Sequence, residues 1–82
     1  MVDDKTIKFL ITNDKYVNIK SVLSSVYDSL SEKGYSAVDQ IAGYILTEDP
    51  TYITTYQNAR NKIQKIDRDE LLRLLIKSYI NR

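Results

Sequence analysis

Apolar residues recur along most of this chain at spacings of three and four, the pattern of helices that each bury one side. The clearest early case is Ile19, Val22, Leu23, Val26, Tyr27 and Leu30. At 100° per residue these fill an arc of about 140°, an ordinary one-sided stripe, and Ser21, Ser24, Ser25, Asp28 and Ser29 take the other face. The pattern predicts a first helix over 19–33, with Asn18 as candidate N-cap and Gly34 as the left-handed residue that ends it. A second helix is expected from Ser36, where Asp39 three residues on makes a variant capping box. Its core stripe reads Val38, Ile41, Ala42, Ile45 and Leu46. Tyr44 falls off that stripe, near the side of Ala37, and suits either an amphipathic surface residue or a contact with a partner.

Residues 43–61 organise the rest of the chain. The second helix must stop by Glu48 or Asp49, because Pro50 disfavours helical geometry at the residue before it. Asp49-Pro50 then reads as N-cap and first helical position, with a short helical turn over 50–53. A third helix is expected over 55–66, with Tyr56, Ala59, Ile63 and Ile66 inward. Arg60, Lys62 and Lys65 make this the most basic part of the chain. They read either as a solvated face with the arginine used locally, or as a site for phosphate or an acidic partner. Asp67 and Glu70 form a second capping-box variant, so a fourth helix begins near Arg68, after a break that could be no more than a kink. Its residues Leu71, Leu72, Leu74, Leu75, Ile76, Tyr79 and Ile80 spread over about 240°, far wider than one packing face requires. Such a helix needs burial on two sides, and the simplest second side is another subunit. Leu72, Leu75, Ile76 and Tyr79 are the candidate dimer contacts.

The N-terminal residues 1–5 are polar and charged, and poor order is expected there. Residues 6–12 are β-branched and aromatic, with Ile7, Phe9 and Ile11 on one face of an extended segment. A lone strand needs a partner, so this segment should lie extended over the helices or pair with its own copy. Asn13, Asp14 and Lys15 read as a turn. The expected fold is all-α: a compact homodimeric bundle of about four short helices. Residues 1–12 form an extended or disordered tail, and residues 13–82 a helical dimerisation domain.

Composition narrows the function classes. A chain of 82 residues buries only roughly 60–65% of its unfolded surface, so support from oligomerisation is expected, and the absence of Cys rules out disulfides. There is no His either, which removes the commonest general base and metal ligand. Asp39, Asp49, Asp67 and Glu70 fall at helix starts, where capping explains them. With only two glycines there is no phosphate-cradling loop and no dinucleotide fingerprint. No enzymatic activity, metal or cofactor is expected. Twelve basic against eleven acidic residues leave a charge of +1, which argues against nucleic acid as a partner. No apolar run approaches the ~18–20 residues of a membrane span, and the acidic start lacks a signal-peptide pattern. A cytoplasmic protein without membrane insertion is expected.

The ordered set Glu32-Lys33-Gly34-Tyr35, Asp39-Gln40-Ile41, Gly43-Tyr44, Asp49-Pro50, Tyr52-Ile53, Asn58-Ala59-Arg60-Asn61 and Arg68-Asp69-Glu70 resembles the IreB family. These are small regulatory phosphoproteins of Gram-positive bacteria. The resemblance runs from about Thr6 to Tyr79. It implies a cytoplasmic homodimer without catalysis. It also implies a substrate of a transmembrane Ser/Thr kinase and its phosphatase in cell-wall stress and antibiotic-resistance signalling, acting on a further, unnamed protein. Thr6 aligns with the family's tail phosphothreonine. The position three residues earlier, threonine in some members, is Asp3 here, and Thr47-Glu48-Asp49-Pro50 stands where members often read S-G-D-P. Phosphate on Thr6 would be drawn to the Arg60, Lys62, Lys65 face or to its copy on a second subunit. The alternative is a small helix-turn-helix DNA-binding regulator built on helices two and three.

Overall fold

A computed structural model of the chain describes residues 4–81, and side chains from residue 17 onward. Four α-helices are joined by two short 3-10 turns: α1 (Asp4–Glu32), α2 (Ala37–Thr47), the turns Pro50–Tyr52 and Tyr56–Asn58, α3 (Ala59–Gln64) and α4 (Arg68–Ile80). There is no strand among the described residues.

The extended reading of residues 6–12 is therefore corrected. α1 is one helix of 29 residues, about 44 Å long at 1.5 Å per residue. Asn13 to Lys15, read as a turn, and Asn18, read as an N-cap, lie inside it. Once a helix exists, each added residue gains a hydrogen bond without a new nucleation cost, whereas a strand here has nothing to pair with. The Asn and Asp residues cost at most roughly 0.7 kcal/mol each in a helix interior.

At its other end α1 stops as expected. Gly34 takes φ +82, and the Tyr35 amide donates to the Leu30 carbonyl while the Gly34 amide donates to that of Ser31. These two bonds make a Schellman cap, which requires a left-handed residue at Gly34. The cap turns the chain into α2, whose N-cap Ser36 donates its hydroxyl to the Asp39 carboxylate at 2.9 Å. α2 ends at Thr47, before Pro50, as the sequence predicts. The Asp49 side chain then accepts from the Thr51 amide at 3.0 Å, capping the Pro50 turn.

The core has two parts. Val26 and Leu30 of α1 meet Ala37 and Tyr44 of α2, Ile53, and Ala59 and Ile63 of α3. Ile19, Ile66 and Leu71 form a second cluster at the base of α4, and Val22 and Ile45 pack against both. Ser29, placed on the polar face by periodicity, is fully buried, because α1 packs against α3 as well as α2. Its hydroxyl donates to the Gln57 side-chain carbonyl at 2.8 Å.

The third helix is shorter than predicted. Gln57 (φ 53) and Asn58 (φ 64) are both left-handed, which breaks 55–66 into a turn and a six-residue α3. The break between α3 and α4 is more than a kink, since Asp67 is extended and caps α4 by accepting from the Asp69 amide.

Candidate functional site

α2 is rotated relative to the stripe read from its sequence. Tyr44, read as either an amphipathic surface residue or a partner contact, is instead buried within its own chain at 7% exposure, whereas Val38 is 66% and Leu46 82% exposed, and Ala42 is also open. Ala37 and Tyr44 pack into the core with Val26, Leu30, Ile53, Ala59 and Ile63. On another side of α2, a Cβ built on Gly43 would lie 2.5 Å from Cε1 of Tyr52, so that ring rests directly on the helix backbone. Ile41 and Ile45 sit at the boundary of the Ala37 and Tyr44 side, half-covered. Val38, Ala42 and Leu46 are left facing outward.

α4 resolves its wide arc in the same way. Leu71 is buried and Leu74 and Leu75 are half-buried, all toward α1. Leu72, Ile76, Tyr79 and Ile80 are exposed, with Tyr79 at 93%. At 100° per residue the arc divides into an inner face and an outer face, each about 100° wide. A groove of about 290 Å³ lies between α1, α2 and α4, lined by Leu23 and Tyr27 of α1, Val38, Ile41, Ala42 and Ile45 of α2, and Leu75 from the inner face of α4. Leu72, Ile76 and Tyr79 share the outer face of α4 while Leu75 lies on the inner one, and sequence periodicity misses the α2 half of the exposed apolar surface. The signal available for it is the placement of Tyr44 about 20° from Ala37 around the helix, since these two are the buried residues of α2.

The basic residues do not converge. The Arg60 Nε–H donates to the Ile53 carbonyl at 2.9 Å, and Lys62 donates to the Ser25 hydroxyl of α1 at 3.0 Å. Lys65 is exposed. Hydrogen bonds from the Thr51 hydroxyl and then its amide hold the Asp49 carboxyl below the usual value against an opposing effect of desolvation, and the Arg60 charge adds the smallest lowering effect. At the other end of the Tyr56–Asn58 turn, the Lys33 ammonium lies over the Tyr56 ring, 4.7 Å from its centre. A hydrogen bond to Glu32, that carboxylate's charge and partial burial push the Tyr56 hydroxyl up. Lys62 and Lys33 thus tie α3 and the Tyr56–Asn58 turn to α1, whereas the Arg60 and Asp49 contacts hold the loop to itself.

Periodicity and charge in the sequence do not single out Arg68. Its guanidinium donates to the Ile45 carbonyl and to the Glu48 carboxylate, joining the start of α4 to the end of α2. Thr6 lies within α1, at a position whose side chain is outside the described residues. No group of acidic residues that could hold a metal occurs among the described residues, and no described helix is long and apolar enough to cross a membrane.

The residues that fix this geometry, from Gly34 and Gly43 through Asp49, Asn58, Ala59 and Arg60 to Arg68, are those on which the resemblance rests. Residues 4–81 match the family described as IreB regulatory phosphoprotein. With nearly the whole chain inside that match, this protein belongs to the IreB family.

Proposed function

We propose that this chain is a non-enzymatic, cytoplasmic regulator that works by protein–protein contact, as a homodimer joined through the open faces of α2 and α4. The observation that carries this is the exposed apolar surface itself. Val38, Leu46, Leu72, Ile76 and Tyr79 lie at the surface of a small chain, and covering them removes apolar area from water at ~25 cal/mol per Å². An isologous pairing would cover the face on both copies at once.

The switch in this reading is phosphorylation of Thr6 by a transmembrane Ser/Thr kinase of the wall-sensing type, reversed by a phosphatase. Membership of a regulatory phosphoprotein family supports it. The position in α1 refines where the phosphate would act. Thr6 precedes Ser25, the partner of Lys62, by nineteen positions, about 28 Å along a continuous helix. A phosphate on Thr6 therefore meets Arg60, Lys62 and Lys65 of its own chain only if α1 unwinds. It meets the copy on a second subunit, or the free amides of α1's first turn, without that cost. No observation favours the DNA-binding alternative; α3 is six residues long with Ala59 and Ile63 buried.

The deciding experiment is phosphopeptide mapping after incubation with such a kinase, for the wild type and Thr6→Ala. Label confined to Thr6 supports the reading, and undiminished label in Thr6→Ala refutes it. Capture from host lysate with phosphorylated and unmodified protein then identifies the downstream partner.

A further inference from the structure

We propose that Arg68 is a latch that holds α4 in place, and that α4 swings about the link at residues 65–67 when the latch is released. The inference goes beyond the regulatory reading and does not depend on what covers the apolar face.

α4 is lightly held by its own chain. Leu71, in its first turn, is its one buried residue. Leu74 and Leu75 are half-covered, and from Ile76 onward every described residue is exposed. The link before it has little stiffness of its own. Lys65 and Ile66 close single 3-10 bonds to the carbonyls of Lys62 and Ile63, and Asp67 is extended. Apolar packing thus fixes where α4 begins and fixes its direction weakly.

Arg68 supplies the direction. The last four carbonyls of a helix have no helical partner. At the end of α2 the Glu48 amide takes that of Tyr44. The Asp49 amide, which would have continued to Ile45, turns instead to the Thr47 hydroxyl at 3.2 Å. The Ile45 carbonyl left over is the one Arg68 binds, while a second nitrogen of the same guanidinium holds Glu48. A planar, multi-donor group makes both contacts at once, and its charge is favoured at a helix C-terminus. Glu48 itself stands at φ 61, a left-handed conformation that aims its carboxylate at the latch. Since one wall of the groove is Ile45 on α2 and another is Leu75 on α4, the latch sets the groove's width.

The test is site-resolved amide exchange on the full chain for wild type, Arg68→Gln, Arg68→Lys and Glu48→Gln, at one concentration. Local opening is read as faster exchange confined to the opening unit. The latch predicts exchange across 72–80 roughly ten- to hundredfold faster in Arg68→Gln, with Val26, Leu30, Ile53 and Ile63 unchanged. Arg68→Lys should fall close to it, because an ammonium cannot span both acceptors. Glu48→Gln should open less, since the Ile45 bond survives. If Arg68→Gln does not fold, Arg68→Lys and Glu48→Gln carry the same comparison. Unchanged exchange across 72–80 in the arginine variants overturns the proposal, as does acceleration shared equally by the α1 and α3 amides. Sedimentation of the same samples keeps the two readings apart. An opened α4 with unaltered self-association would remove α4 from the interface and leave the latch standing.

Discussion

Replacing Ile76 by Asp separates the two faces of α4 more sharply than any other single change. In the isolated chain Ile76 is 50% exposed and lies on the outer face, so an aspartate there meets water. Surface substitutions of that kind stay within about 0.5 kcal/mol. A chain of this length should have a total stability of roughly 4–12 kcal/mol, so the monomer survives the change. Leu71, on the inner face and 1% exposed, behaves oppositely: Leu71→Ala should cost about 2–5 kcal/mol. In a dimer, covering the remaining half of the Ile76 side chain contributes about 1 kcal/mol, and an isologous interface counts it twice. Losing about 2 kcal/mol weakens association roughly thirtyfold. An unpaired carboxylate carried into the contact adds several kcal/mol more, so the total weakening should exceed a hundredfold. Sedimentation velocity across a wide range around micromolar concentration reads the association, and circular-dichroism melts on the same samples read the fold. The expected result is a folded Ile76→Asp monomer beside an associating wild type. A folded wild-type monomer at micromolar concentration would refute the reasoning, and so would an Ile76→Asp variant that associates as the wild type does.

Gly43→Ala gains about 1 kcal/mol of helix propensity but drives a Cβ to 2.5 Å from the Tyr52 ring. Overpacking of that kind costs about 1–3 kcal/mol, so thermal unfolding should show a net loss, with a changed tyrosine near-UV signal; a more stable variant with an unaltered signal would contradict the close approach. Glu48→Gly relieves a left-handed residue at a cost of about 1–2 kcal/mol and gives up a half-exposed ion pair worth about 0–1 kcal/mol. The global melting temperature should hold or rise while amide protection of α4 falls, and a parallel fall in both would show the pair to be part of the global core. Asp49 has its pKa lowered from 3.8 in the folded chain, so the unfolded chain binds the proton first. Its stabilisation is complete above the unfolded value and is lost as pH falls through the folded one. Tyr56 is raised above 10.0, and its contribution is present below that value and lost as pH rises through the folded one. Urea titrations of Asp49→Asn and Tyr56→Phe should flatten the acid and alkaline limbs respectively, and unchanged limbs would remove these groups from the account.

How legible each feature was in the sequence depends on how it is encoded. Breaks set by backbone chemistry were readable, because Gly34, Asp49-Pro50 and Asp67 act locally and need no knowledge of the rest of the chain. All three stand where expected. The face that α2 buries was misread for the opposite reason. Hydrophobic periodicity assumes that the most apolar side goes inward, whereas the buried side here runs through Ala37, Ile41, Tyr44 and Ile45. Ala37 carries almost no hydrophobic signal and Tyr44 an ambiguous one, yet both are buried while Val38 and Leu46 lie outward. The expected strand at residues 6–12 failed because β-propensity is expressed only against a neighbour, and one chain offers none. The wide stripe of α4 was readable because its excess could not be satisfied within so small a chain, whatever the packing of the other helices.

The same reasoning explains why the residues that carry the family resemblance reveal so little chemistry. Asn58 tolerates a left-handed backbone, Ala59 is fully buried between elements, Arg60 holds the Ile53 carbonyl, and Ile53 itself is buried at the centre of the core. Each of these four positions has a part in setting the local shape. The exposed apolar surface is built from residues within the matched range but outside those motifs, including Val38, Leu46, Leu72, Ile76 and Tyr79. The residues that set the fold and the exposed apolar residues are therefore largely different positions, so a substitution at Val38, Leu46, Leu72, Ile76 or Tyr79 changes the outer surface without removing a buried core side chain.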